Sequence, residues 1–258
     1  MQQVNRLQCD LVIITGDISE GEDVAFQLQR LANSINRPIF FVLGNHDFYQ
    51  SSIESTRCSL GNLARQHPLL HYLHDERVIS LSSSVALVGE DGWGDATEGD
   101  YDRSMVMLND FHLIDDFRQT PKTTWQQALQ ELGREAAVRL NAKLEEACQS
   151  HSSVLIATHV PPFRESCWYE GHTTDDNWAP FFVCGQAGAA IRKIAEKYTQ
   201  VKFDVICGHT HHSGITTLLP NLTITTGPAV YGRPDVTGSI IVDTEVELAL
   251  TGPSSLLP

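Results

Sequence analysis

The chain alternates short unbroken apolar runs with stretches whose apolar residues recur every three or four positions. Residues 11–16 (LVIITG) form the first run; it is rich in β-branched residues and predicts a strand buried on both faces. Residues 23–35 then place Val24, Leu28, Leu31 and Ile35 at helical spacing, and Pro38 closes that helix. A second run, PIFFVLG, leads into Asn45-His46-Asp47. Strand, helix, strand is the pattern of a parallel sheet. Residues 51–66 predict another helix, 78–81 and 85–89 two short strands, and the Gly- and Asp-rich stretch 90–101 a loop.

Residues 123–149 predict the longest helix. Its stripe of Trp125, Leu129, Leu132, Ala136, Leu140, Leu144 and Ala147 reads as core packing, with no chemistry assigned. Residues 154–157 and 203–207 predict two more buried strands, separated by an irregular segment (160–185) and a helix (187–198). Beyond Gly214 four short runs (215–219, 222–225, 239–242, 245–250) with tight turns predict antiparallel hairpins closing a second sheet. With no linker, repeat or low-complexity tract, residues 1–258 are expected to form a single domain.

Composition narrows the function classes. At 41% apolar residues the chain can fill a core, which excludes a disordered polypeptide. Lys+Arg 18 against Asp+Glu 32 gives a net charge of −14, the wrong sign for a nucleic-acid binder. It does not exclude a phosphorylated substrate, because a bound cation inverts the local charge of a site. No apolar run is long enough for a membrane span, so no membrane partner is expected. The first ten residues lack a secretory apolar core, and the six cysteines are irregularly spaced without a CxxC pair. Reduced thiols in a cytoplasmic protein are therefore expected.

The chemistry-bearing residues cluster where predicted strands stop: Asp17, Asn45 with His46, His159, and His209 with His211. In open α/β sheets, ligands bind outside the carboxyl ends of strands. Carboxylate, carboxamide and imidazole together suit divalent ions such as Mn, Fe or Zn, and the absence of Cys from the set disfavours a structural thiolate zinc site.

Taken as a set, GDISE at 16–20, GNHD at 44–47, THVPP at 158–162 and GHTH at 208–211 resemble the calcineurin-like metallophosphoesterase superfamily. The resemblance implies an α/β fold of four layers, an αββα sandwich of two mixed β-sheets flanked by helices. It implies hydrolysis of a phosphomonoester or phosphodiester, carried by a small molecule or a phosphoprotein, through a metal-activated hydroxide between two divalent ions. Asp17 would bridge the ions, Asn45, His159 and His209 would hold the second, and His211 the first. His46 would contact the phosphate or protonate the leaving oxygen. Asp47 would either orient His46 or serve as a cap or turn residue.

The sequence also departs from that family. The family opens with Asp-x-His at the end of a first strand, and MQQVNRLQCD contains neither. Residues 1–10 read instead as the tail of a helix. The first metal site is therefore expected to be incomplete and the first strand missing, through a late start or a true loss. A version with that strand restored is expected to be more stable and more active.

One Asp-x-His does occur, at Asp110-Phe111-His112, out of family order; a surface loop or helix entry is favoured there over a metal role. His67, His71 and His74 read as a solvated loop or strand entry, and His212 as facing away from His211. Trp168, His172 and Trp178 either cover the site or pack a surface loop. A non-catalytic interaction module on the same fold is the alternative to an enzyme.

Overall fold

The computed structural model describes residues 2–242 and 249–251. A short helix, α1 (Gln2–Leu7), precedes β1 (Val12–Thr15), α2 (Asp23–Ile35) and β2 (Ile39–Val42). Then come α3 (Ile53–Gln66), β3 (Leu70–Tyr72), β4 (Ile79–Ser80) and β5 (Val85–Glu90). Two single-turn helices, α4 (Asp110–Leu113) and α5 (Asp115–Arg118), lead into the long α6 (Trp125–Ala147) and β6 (Ser153–Thr158). The segment expected to be irregular holds a small hairpin, β7 (Trp168–Tyr169) with β8 (His172–Thr173), and α7 (Ala179–Phe182). The remaining elements are α8 (Gly185–Lys197), β9 (Lys202–Cys207), β10 (Gly214–Leu219), β11 (Leu222–Thr226), β12 (Ser239–Ile241) and β13 (Ala249–Thr251).

Period-two alternation builds the layers. In β2, Ile39 and Phe41 turn towards α2 and α3, while Phe40 and Val42 turn the other way. In β6, Val154 and Ile156 meet α6 and α8, while Leu155 and Ala157 face Phe40 and Val42. Three apolar clusters therefore lie between four layers, helix, sheet, sheet, helix. Burying each such Leu, Ile or Phe contributes roughly 1.5–3 kcal/mol.

The first sheet is parallel, in the order β1-β2-β3. The second has six strands in the order β10-β11-β9-β6-β5-β4. Three expectations change here. The runs after Gly214 do not close a sheet of their own: β10 and β11 form a hairpin, but β11 lies parallel to β9 and extends the central sheet. β12 pairs with β13 separately, and most of the run expected at 245–250 lies outside the described residues. β1 is half-buried rather than buried on both faces, because it is the edge strand of its sheet.

Behind β5 sits a buried ion network. The Glu90 carboxylate lies 2.5 Å from His74 Nδ1 and 3.0 Å from Arg139 Nε. Lys143 Nζ lies 3.8 Å from Glu90 and donates to the carbonyls of Leu73, His74 and Gly89. His74 is thus a paired, half-buried residue and not a solvated one, and His71 lies on β3. His74, Glu90 and Asp91 are close enough to share a cation, but Arg57, Arg139 and Lys143 already supply the positive charge.

Burial pushes the Glu90 carboxyl up, but His74, Lys143 and Arg139 outweigh it and hold its pKa at about 2 against an ordinary 4.5. The folded value lies below the unfolded one. The contribution, about 3 kcal/mol, is complete above pH 4.5 and is lost as the pH falls through 2. Glu90→Gln is expected to flatten that part of the stability profile, as read by denaturant unfolding at stepped acid pH. An unchanged slope would assign the acid lability to other carboxylates.

All six cysteines are free thiols, and burial pushes those of Cys167, Cys184 and Cys207 up to about 12, which makes them unreactive. Among the described residues no helix is long and apolar enough to cross a membrane.

Candidate metal centre

The carboxyl ends of β1 and β2, side by side in one sheet, face those of β6 and β9, side by side in the other. The loops leaving all four strands therefore meet at one end of the sandwich. They can approach closely because glycine stands first in the loop after β1 and second in the loop after β2. A Cβ on Gly16 would sit 2.6 Å from Gly44 N, and one on Gly44 would sit 2.6 Å from Asp17 N. Gly16 also has φ +90°, which only glycine adopts without strain.

Three of the residues expected at the site carry left-handed backbone: Asp17 (φ 52°), His209 (φ 68°) and His211 (φ 60°). A non-glycine residue held there costs on the order of 1–3 kcal/mol, and such strain concentrates at functional sites. The turns at 17, 209 and 211 aim side chains into the space between the sheets' ends, which an extended strand would not do.

Four acceptor atoms converge in that space. His159 Nε2 lies 3.2 Å from Asn45 Oδ1, 3.1 Å from His209 Nδ1 and 3.5 Å from Asp17 Oδ1. The outer nitrogens fix the tautomers. His159 Nδ1 donates to the Thr15 carbonyl at 2.8 Å, and His209 Nε2 donates to the Phe181 carbonyl at 3.2 Å. A carbonyl only accepts, so each outer nitrogen carries a proton, and with a cation in the space each inner nitrogen would turn a lone pair towards it. Burial, helped by His159 beside it, pushes His209 down to about 3, so this ring is neutral at working pH.

Burial raises Asp17, but the surrounding His159, His211, His46 and His209 rings outweigh it and hold the carboxyl well below the usual range. Two ring lone pairs, an amide oxygen and a carboxylate oxygen facing one another repel unless a cation lies between them. The donor set therefore fits a divalent ion.

Asp17 points its two oxygens in different directions. Oδ1 faces His159 and accepts the His46 backbone N–H at 3.2 Å, while Oδ2 lies 4.0 Å from His211 Nε2. The structure thus brings all five expected ligands to one place, four around one position and His211 on the far side of Asp17. Among the described residues no group of three His, Cys, Asp or Glu side chains within ligand reach includes His211.

His46 stands at the mouth of the cluster. Its ring lies 4.6 Å from Tyr49 and 5.6 Å from Tyr231, whose hydroxyl is 3.5 Å from Nε2. Nδ1 faces the Glu20 carboxylate at 3.8 Å. Asp47, read from sequence as an orienter of His46 or a cap or turn residue, is used differently. Fully buried, its Oδ1 accepts the N–H groups of Ile18 and Ser19 and its Oδ2 that of Gly44, so it staples the β1 loop to the β2 loop. Burial and the Asp17 carboxylate push Asp47 up, against the pull of those three N–H groups.

Asp110 opens α4, the helix entry expected from the sequence, but it is buried and not on a surface loop. Its Oδ1 accepts from Asn45 Nδ2 at 2.8 Å and from the Tyr49 hydroxyl at 2.9 Å. Burial pushes its carboxyl above the ordinary value. His212 does face away, accepting from Glu170 N and packing on Tyr169. Trp168 Nε1 bonds Thr216, and His172 is exposed on β8. Trp178 packs on Phe182, which packs on His209 at 4.4 Å, so the 160–185 segment covers one wall of the cluster. Glu20, Tyr49, Tyr231 and the Phe181 carbonyl had no signal in the sequence, since each gains its position only from the fold.

A family model described as calcineurin-like phosphoesterase matches residues 1–213. The chain belongs to that family. As a calcineurin-like phosphoesterase it is a hydrolase whose family works with divalent metals. Its fold is similar to that of a dimetal phosphatase from Danio rerio, with a TM-score of 0.56 and 19% identity over 90% of this chain and 76% of that one. At that identity the likeness shows the fold alone. A weaker likeness, TM-score 0.46 and 12% identity over 87% of this chain and 63% of that one, is to GAP50, the anchor in the inner membrane complex of Plasmodium; it carries no argument. No curated protein matches the chain.

Proposed function

We propose that this calcineurin-like phosphoesterase hydrolyses phosphomonoesters or phosphodiesters. Asp17, Asn45, His159 and His209 would hold one divalent ion, and Asp17 with His211 would contribute to a second. The observation that carries this reading is the convergence of four acceptor atoms, two of them on imidazoles whose outer nitrogens donate to main-chain carbonyls. Bound divalent ions supply positive charge to the phosphoryl oxygens and acidify a water.

The chain's own groups do the rest. His46, with Nε2 towards the open mouth and Nδ1 towards Glu20, hands a proton to the leaving oxygen. Tyr231, at the rim between His46 and His211, offers its hydroxyl to the phosphoryl group. Phe182 and Trp178 keep water from the His209 side. The net charge of −14 favours a small molecule or a phosphoprotein over a nucleic acid, and free buried thiols fit a reducing compartment such as the cytoplasm.

A second reading, a non-catalytic module on the same fold, is favoured by one observation: among the described residues only His211 joins the outer oxygen of Asp17. Turnover of p-nitrophenyl phosphate and bis-p-nitrophenyl phosphate with added Mn2+ separates the two. Hydrolysis is expected, abolished by chelator and restored by Mn2+. His46→Ala is expected to lower kcat by about 10²–10⁴-fold, with Mn2+ still bound. Stoichiometric Mn2+ binding without turnover of either ester would favour the module.

A further inference from the structure

The Asp110-Phe111-His112 motif contributes no metal ligand, yet its carboxylate lies against one. Asn45 presents an amide whose two ends have nearly the same shape and opposite chemistry. With Oδ1 inward it adds a fourth acceptor to the cluster; with the NH2 inward it would turn two protons towards the same space. Nothing in the side chain's own packing distinguishes the two orientations.

What distinguishes them is the group behind the amide. Asp110 Oδ1 lies 2.8 Å from Asn45 Nδ2 and takes a second donor, the Tyr49 hydroxyl, at 2.9 Å. An oxygen with two donors aimed at it acts as an acceptor, so it must face the NH2 end. A flipped amide would bring Asn45 Oδ1 against Asp110 Oδ1, two acceptors in a buried place with no proton between them, which is costly. The Tyr49 hydroxyl reinforces this, since it already directs its proton at the same oxygen. The pair is closed from solvent: Asp110 is 5% exposed and Asn45 9%.

We infer that Asp110 is a positioning residue: it locks the Asn45 carboxamide with its oxygen towards Asp17, His159 and His209, and so sets the divalent-ion affinity of the cluster. The inference rests on the metal reading of the site given above. Outer partners of this kind alter metal affinity by about 10–100-fold when removed.

Mn2+ affinity, measured by isothermal titration calorimetry without substrate, tests it on the full chain. Asp110→Ala is expected to weaken Mn2+ binding at least about tenfold. Asp110→Asn, whose Oδ1 can accept from both donors, is expected to bind Mn2+ as the unaltered protein does. Asp110→Ser keeps a polar atom in the pocket but cannot reach Asn45; it is expected to behave like the Ala variant and serves in its place should that one fail to fold. Melting of the metal-free variants records any general loss of stability.

Unchanged affinity in the Ala or Ser variant would overturn the assignment. So would an equal loss in Asp110→Asn, which would point to the charge and not the geometry. A loss of the same size in Tyr49→Phe would overturn it too, by assigning the effect to the tyrosine. Failure of the unaltered protein to bind Mn2+ would remove the metal reading itself, a result separate from all of these.

Discussion

His159→Ala is expected to abolish Mn2+ binding and phosphate-ester hydrolysis together, with kcat/KM falling by more than about 10³-fold. No other side chain in the cluster touches as much. Its Nε2 faces Asn45, His209 and Asp17, and its Nδ1 binds the carbonyl of Thr15, the last residue of β1. Its own backbone N–H bonds the Asp91 carbonyl, and its carbonyl accepts from Gly208 N. Truncation removes a donor atom and also leaves the Thr15 carbonyl without its partner, a cost of about 1–3 kcal/mol. Calorimetric Mn2+ binding and p-nitrophenyl phosphate turnover on the same preparation read both effects. Turnover within tenfold of the unaltered protein would show that the ion is held elsewhere.

Asp47→Asn is expected to give the largest loss of stability among conservative changes at this end of the sandwich. Three backbone N–H groups from two loops point at one carboxyl. Both carboxyl oxygens accept in either protonation state, whereas an amide NH2 cannot. Whichever way the new amide turns, at least one N–H of Ile18, Ser19 or Gly44 meets another N–H in a dry place. A loss of about 3 kcal/mol corresponds to a fall of about 6–12 °C in Tm for a chain of this size. The melt is run without metal, so the result reports the loop staple and not ion binding. A Tm within 2 °C of the unaltered protein would show that the staple carries little.

The strands bearing the cluster were legible because β2, β6 and β9 are short apolar runs with sharply polar ends, and buried parallel strands leave that trace. Asp17, Asn45, His46, His159, His209 and His211 stood out as candidates for the same reason, since each lies within four residues of the end of such a run. β3 was not, because Leu70-His71-Tyr72 is only three residues long, with a histidine in the middle. The parallel pairing of β11 with β9 could not be read because it depends on spatial order and not on any residue in β11. Asp47 misled because its partners are backbone groups, which have no sequence signature. The contact of Asp110 with Asn45, and Tyr231 altogether, went unread because the partners lie far along the chain, Asn45 65 positions before the one and His46 185 before the other.

The carbonyls of Thr15 and Phe181 that hold the two imidazoles belong to the main chain. Side-chain drift at positions 15 and 181 leaves both oxygens where they are, so a lineage can exchange those residues and still inherit the rings in register. An insertion, a deletion or a change of strand path at either position would move its carbonyl and let the imidazole turn. The orientation of the donors is therefore carried by the shape of the fold, and substitutions can accumulate around it without erasing it.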